Sequence, residues 1–125
     1  LILVDTDVLI EIFDRDSKKG GEALKKIEET GEDVIITSLN LHEVLYGLYK
    51  YANGEKIDKV MLMDVAEFGK EDADLSAKLE VKSEKKGKKT TRFDAMIAAI
   101  AINRKFKLFT FNKKHYEGFK ELTLV

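Results

Sequence analysis

The sequence predicts an α/β fold, a parallel sheet with helices on both faces, and three observations predict it. Short continuous apolar runs such as Leu1–Val4 and Val34–Ile36 suit strands buried on both sides. Between them lie longer segments whose apolar residues recur at helical spacing. One of these, residues 92–104, is apolar almost all round (Ala95, Met96, Ile97, Ile100, Ala101) and therefore belongs in a core. Strands that alternate with helices imply parallel pairing, because each crossover helix must pack back onto a sheet face.

Taken in order, Leu1–Val4 is the first strand. A short helix over Asp7–Phe13 follows, punctuated by Gly20-Gly21. A second helix runs from Glu22 to Glu29, with Ala23, Leu24 and Ile27 on one face and Glu22 and Lys26 spaced as an i,i+4 pair. Gly31 stops it. Val34–Ile36 is the second strand, and Leu41, Val44, Leu45 and Leu48 mark a third helix that Asn53-Gly54 ends. Val60–Val65 is the expected third strand. Asp72–Lys86 is a charged helix closed by Gly87, with Leu75 and Leu79 turned inward. The apolar helix 92–104 comes next, and Leu108–Thr110 and Leu122–Val125 are the last strands.

At 125 residues, with no repeat or linker, the chain reads as one domain over 1–125. Apolar residues make up 44% and charged residues 36%, as in a water-soluble globular protein. The longest apolar run, Ala95–Ile102, is well short of the about 20 residues that cross a bilayer. The first residues lack the basic start of a secretory signal, so a cytoplasmic location is expected. No cysteine is present, which excludes disulfides, thiolate metal sites and a cysteine nucleophile. Neither Gly-x-Gly-x-x-Gly nor Gly-x4-Gly-Lys occurs, which removes the Gly-rich nucleotide folds. A net charge of −1 neither favours nor disfavours nucleic acid, since an acidic site can cancel a basic face in the sum.

Four acids stand where chemistry could occur, and each has a structural alternative. Asp5 ends the first strand and could cap the helix after it. Asp7 sits where that helix would start. Asn40 and Glu43 have capping-box spacing, as do Thr91 and Asp94. As a set the acids say more. Asp5 and Glu43 follow strands of one parallel sheet, and Asp94 opens the buried helix, so all three point to the edge where such sheets bind ligands. Carboxylates held close repel one another, and a divalent cation with a taste for oxygen, Mg²⁺ or Mn²⁺, removes that cost. Such an ion can activate water and stabilise charge on a phosphodiester.

The remaining polar residues are weaker candidates. His42 and His115 are the only histidines, too few for a zinc site, and His42 is expected at the surface or in packing. Tyr46, Tyr49 and Tyr51 could stack on bases, but aromatic residues on such a helix are more often core or interface. The basic run Lys82, Lys85, Lys86, Lys88, Lys89 and Arg92 could meet phosphates, although a solvated helix end is the commoner cause.

These residues together resemble the PIN-domain family over nearly the whole chain. Leu1–Ile10 is similar to the opening of PIN domains, whose first acid corresponds to Asp5. Ser38 with Glu43 and Leu45-Tyr46-Gly47 resembles their second motif. Gly87 followed by Asp94-Ala95-Met96-Ile97-Ala98-Ala99 resembles the third, and Leu108–Asn112 the final strand with its Thr-x-Asn turn. The chain's size is most similar to VapC toxins. The resemblance implies a three-layer α/β/α sandwich with a parallel sheet of about five strands. It implies Mg²⁺ or Mn²⁺ held by Asp5, Glu43 and Asp94, with Thr6, Asp7, Arg92, Thr110 and Asn112 supporting the site or the substrate. The implied activity is cleavage of single-stranded RNA by a homodimer paired with a small antitoxin protein. In two places the chain departs from the family. Arg92 stands where PIN domains commonly carry a further acid, and Asn112 and His115 stand where they often place a fourth.

Two other readings compete. A PIN domain that binds RNA or protein without cutting suits those departures. A phospho-receiver domain suits Asp5 with Asp7 and the run Val60–Asp64, but it leaves Glu43 without a role and lacks the expected turn after Asp64 and final Lys.

Overall fold

The computed structural model describes residues 1–14, 17–88 and 90–125. Five strands form one sheet: β1 (Ile2–Val4), β2 (Val34–Thr37), β3 (Val65–Ala66), β4 (Lys107–Phe109) and β5 (Thr123–Leu124). Their order is β3-β2-β1-β4-β5, and every pairing is parallel. Among the described residues six α-helices accompany them: α1 (Thr6–Leu9), α2 (Lys18–Thr30), α3 (Ser38–Lys50), α4 (Gly54–Met61), α5 (Lys70–Lys85) and α6 (Arg92–Arg104). A π-helical turn, Ile10–Asp14, continues α1, and a 3₁₀ turn, Lys113–His115, follows β4.

Strand side chains alternate between faces, so each central strand feeds two cores. Ile2 and Val4 of β1 join Ile36, Val8, Leu9, Ala23, Val44, Leu48 and Val60 on the side of α1 to α4. Leu3 and Leu108 face the other way, onto Ala95 and Ile97–Ala101 of α6 and Leu79 of α5. This is the expected α/β/α sandwich. Packing against the sheet buries most of the apolar surface of α6: Ala95 and residues 97–101 are at 0% exposure, while Phe93, Met96 and Ile102 stay partly exposed. The apolar character of that helix is thus chiefly a property of the core.

Local chemistry shifts several boundaries from those expected. The run at 60–65 does not form a six-residue strand. Asn53 caps α4 by accepting a hydrogen bond from Lys56 N, and Ile57 and Val60 lie on its inner face, so only Val65–Ala66 pairs in the sheet. A short apolar run suits either state until packing decides. Asp64 therefore precedes β3 instead of ending it, which removes the strand a phospho-receiver reading needs. Leu24, expected inward on α2, is 44% exposed. Of the basic run, Lys82, Lys85, Lys86 and Lys88 are exposed around the end of α5, and Lys89 lies outside the described residues. Among the described residues no helix is long and apolar enough to cross a membrane.

Gly20-Gly21 does not separate two helices but lies in the first turn of α2, which Ser17 caps through Gly20 N. Gly20 is buried where α2 meets the π-helical turn, and a Cβ there would collide with the Glu11 carbonyl. At Gly21 a Cβ would meet nothing within 4 Å. Gly20→Ala is therefore expected to cost about 1–3 kcal/mol in chemical denaturation, as overpacking does. Gly21→Ala should gain about 0.5–1 kcal/mol from helix propensity alone. Equal effects of the two substitutions would contradict the close approach of α2 to the turn.

Candidate active site

The sheet's winding reverses beside β1, since β2 and β3 extend one way and β4 and β5 the other. Loops beyond the carboxyl ends of two such strands diverge, and the crevice between them is where open parallel sheets take ligands. Asp5 follows β1 and Thr110 follows β4 at that point.

Asp5 is the hub. It is 7% exposed and caps α1, with Oδ1 accepting from Thr6 N at 2.8 Å. The same oxygen lies 3.4 Å from Asn40 Nδ2. Oδ2 accepts from Thr110 Oγ1 at 2.8 Å and from Tyr116 Oη at 3.0 Å. Four segments of the chain thus meet on one carboxylate. Burial, and next the charge of Asp7, push its pKa up from 3.8 to about 6.

Asp7 accepts Phe111 N on Oδ2 at 3.0 Å, and its Oδ1 is buried without a hydrogen-bond partner. Burial raises its pKa too. Asp94, placed by the Thr91 cap of α6, has Oδ1 3.1 Å from Tyr116 Oη. A phenol has one proton, so Tyr116 can donate to Asp5 or to Asp94 but not to both at once. Asp94 Oδ2 is buried, and His115 Nδ1 approaches it at 3.2 Å without hydrogen-bond alignment. Burial first, and then the charges of Asp5 and Asp94, keep the Tyr116 phenol far above its ordinary pKa, so it remains a proton donor.

A cleft of about 420 Å³ opens over these groups, lined by Asp5, Thr6, Asp7, Glu43, Asp94, Asn112 and His115 among others, and among the described residues no Lys or Arg stands in its wall. Glu43 stands exposed at the rim on α3, one helical turn beyond Asn40 and on the same face. Among the described residues no three Asp, Glu or His side chains already stand at the spacing of an ion-binding cluster. The donor chemistry nevertheless fits a hard divalent cation. Two buried carboxylate oxygens accept no hydrogen bond, a third carboxyl is costly to ionise, and among the described residues no Lys or Arg lines the cleft.

The cleft gathers Asp5, Thr6, Asp7, Glu43, Asp94 and Asn112, while Thr110 lies behind them as support for Asp5 and Asp7. Arg92 is elsewhere. Its side chain is 75% exposed and pairs with Glu80 of α5 at 3.1 Å, because the first turn of α6 points position 92 away from position 94. Asn40, expected to be the helix cap, is the third residue of α3, in a reciprocal capping box with Thr37. Fully buried, it donates to Thr6 Oγ1 at 2.9 Å and reaches Asp5. Asn40 and Tyr116 are the site residues that sequence reasoning missed. His42 is exposed among Leu45, Tyr46, Tyr49 and Lys50, away from the cleft, and Tyr46, Tyr49 and Tyr51 are solvent-facing, not core.

The family model of the PIN domain matches residues 2–120. Ribonuclease VapC1 of Methanocaldococcus jannaschii is 28% identical over 124 residues, covering 98% of this chain and 84% of that protein. A chain in the crystal structure of VapBC2 from Rickettsia felis bound to a promoter DNA fragment superposes with a TM-score of 0.82 at 22% identity. The match covers 99% of this chain and 96% of that one. A chain of a toxin–antitoxin complex from Klebsiella pneumoniae gives a TM-score of 0.81 at 22% identity over 98% and 96%. At these identities the two solved structures speak to the fold.

A carboxyl whose folded pKa lies above its unfolded value favours the folded state most when protonated. The contribution of Asp5 is thus largest below pH 3.8, falls as pH rises to about 6, and stays low above that. The difference is about 3 kcal/mol. Asp5→Asn keeps the oxygen that accepts Thr6 N and cannot ionise. It should stabilise metal-stripped protein at pH 7 by roughly 1–3 kcal/mol, with the gain gone at pH 4 in the same denaturation series. A gain of equal size at both pH values would contradict a buried charge as the cause.

Proposed function

The chain belongs to the PIN domain family, and on that premise we propose that it is a divalent-metal-dependent endoribonuclease acting on single-stranded RNA, the toxin of a toxin–antitoxin pair. The observation that carries this reading is the cleft beyond β1 and β4, where Asp5, Asp7, Glu43 and Asp94 share one wall. Similarity to a ribonuclease VapC supports RNA as the substrate. Solved toxin–antitoxin complexes of the same fold support a protein partner.

In this reading Asp5, Glu43 and Asp94 hold the ion, which would activate water and stabilise charge on the phosphate. The protein's own contribution is placement. Thr6 N and Thr110 hold the two oxygens of Asp5, and Tyr116, shared with Asp94, adds a third contact that orients the carboxylate. Asn40 ties the start of α3, and with it Glu43, to α1. Asp7 orients the turn at Phe111 and Asn112, where Asn112 at the cleft edge can donate to a phosphate oxygen. Glu43, alone exposed among the acids, closes on the ion from the rim. A homodimer and a small antitoxin complete the reading. The exposed Tyr46, Tyr49 and Leu62 supply apolar surface on α3 and after α4 for such contacts.

Purified protein should cut single-stranded RNA only with Mg²⁺ or Mn²⁺ present. Asp5→Asn, Glu43→Gln and Asp94→Asn should each lower the rate by about a hundredfold or more while the fold survives. Arg92→Gln should stay within about twofold of the parent, because that side chain faces α5, and an exposed pair of this kind contributes little. Parental cleavage in all three acid variants would refute the site. Tight RNA binding without cleavage under any divalent ion would favour a PIN domain that binds and does not cut. Light scattering that shows only monomer at micromolar concentration would remove the dimer.

A further inference from the structure

We propose that His115 is itself a ligand of the divalent ion, so that an imidazole nitrogen joins the carboxylates and tilts the site away from Mg²⁺ toward first-row transition ions. The inference rests on the metal-dependent reading above only for the presence of an ion.

His115 is positioned rigidly. It ends the 3₁₀ turn after β4, with its N–H on the Asn112 carbonyl at 3.0 Å. The next residue, Tyr116, is locked in the core with its hydroxyl between Asp5 and Asp94. The imidazole is therefore delivered to the cleft wall beside Asp94, half exposed. Its Nδ1 lies 3.2 Å from Asp94 Oδ2, an oxygen that is buried and accepts no hydrogen bond. Two adjacent donors about 2.1 Å from one ion stand about 3.0 Å apart at right angles, so the pair already has the spacing of neighbouring ligands. The lack of hydrogen-bond alignment suits two lone pairs directed at a common cation better than a donor facing an acceptor. Mg²⁺ takes oxygen donors almost exclusively, whereas imidazole raises affinity for transition ions.

An ion pair between a protonated His115 and Asp94 would use the same contact, and spectroscopy separates the two. Mn²⁺ is the probe. Pulsed electron paramagnetic resonance of the Mn²⁺-loaded protein should show coupling to an imidazole nitrogen. That coupling should persist in His42→Ala, the other histidine, and vanish in His115→Ala and His115→Asp. By calorimetry His115→Ala should weaken Mn²⁺ binding roughly tenfold or more and Mg²⁺ binding by less than about threefold. His115→Asp, which restores an oxygen donor, should raise Mg²⁺ affinity above that of the parent. Mn²⁺ bound at the acidic cleft without nitrogen coupling would overturn the role of His115 and leave the ribonuclease reading standing. Failure of the parent to bind Mn²⁺ at all would overturn both.

Discussion

The buried carboxylate of Asp5 is the constraint on which the rest of the arrangement depends. A charge at 7% exposure is costly unless hydrogen bonds or a cation compensate it. Here four donors from separate parts of the chain converge on it: the start of α1, the start of α3, the end of β4 and the segment after the 3₁₀ turn. The carboxyl still stays hard to ionise, with a pKa pushed up to about 6. In the proposed reading a cation offsets that residual cost, which a satisfied structural acid does not carry. Asp72 shows the contrast. Also shielded from solvent but less deeply placed, it meets Arg104, Asn103 and Gly69 N, and their combined effect holds its pKa below the usual carboxylate range despite desolvation.

The layered fold supplies the convergence. Parallel strands end on one edge, and the helices that follow them begin there, so caps and catalytic candidates come from the same residues. Asp5 both caps α1 and heads the site. Thr37 and Asn40 cap α3 and brace Asp5, and Thr91 caps α6 and sets Asp94. In the proposed reading, capping and metal-holding are therefore not alternatives. One oxygen of Asp5 caps the helix, and the other is held by Thr110 and Tyr116.

Much of this was legible in the sequence. The strand runs at 1–4, 34–36 and 108–110 and the buried helix at 92–104 followed from hydrophobic pattern, because both faces of the central strands and all sides of α6 are covered. The acids at 5, 43 and 94 stood out because strand ends and helix starts share an edge. The third strand was illegible, since Ile57 and Val60 pack as a helix only through tertiary contacts and an Asn53 cap. Arg92 was misplaced because a two-residue step from Asp94 turns to another side of a helix, toward Glu80. Asn40 was hidden by a one-turn error in the cap: the Thr37-x-x-Asn40 box, three residues apart, was the available signal. Tyr116 carried no local signal at all. Its role arises from a contact 111 residues away in sequence.

The most direct test of this account is the ionisation of Asp5 itself, followed by carbon NMR of the labelled side-chain carboxyl with and without Mg²⁺. The account predicts titration near pH 6 in metal-stripped protein and a fall well below that value when Mg²⁺ is added, as the cation takes over the charge that burial opposes. A carboxyl that titrates near 3.8 and ignores Mg²⁺ would contradict it, and Asp5 would then be a helix cap and nothing more.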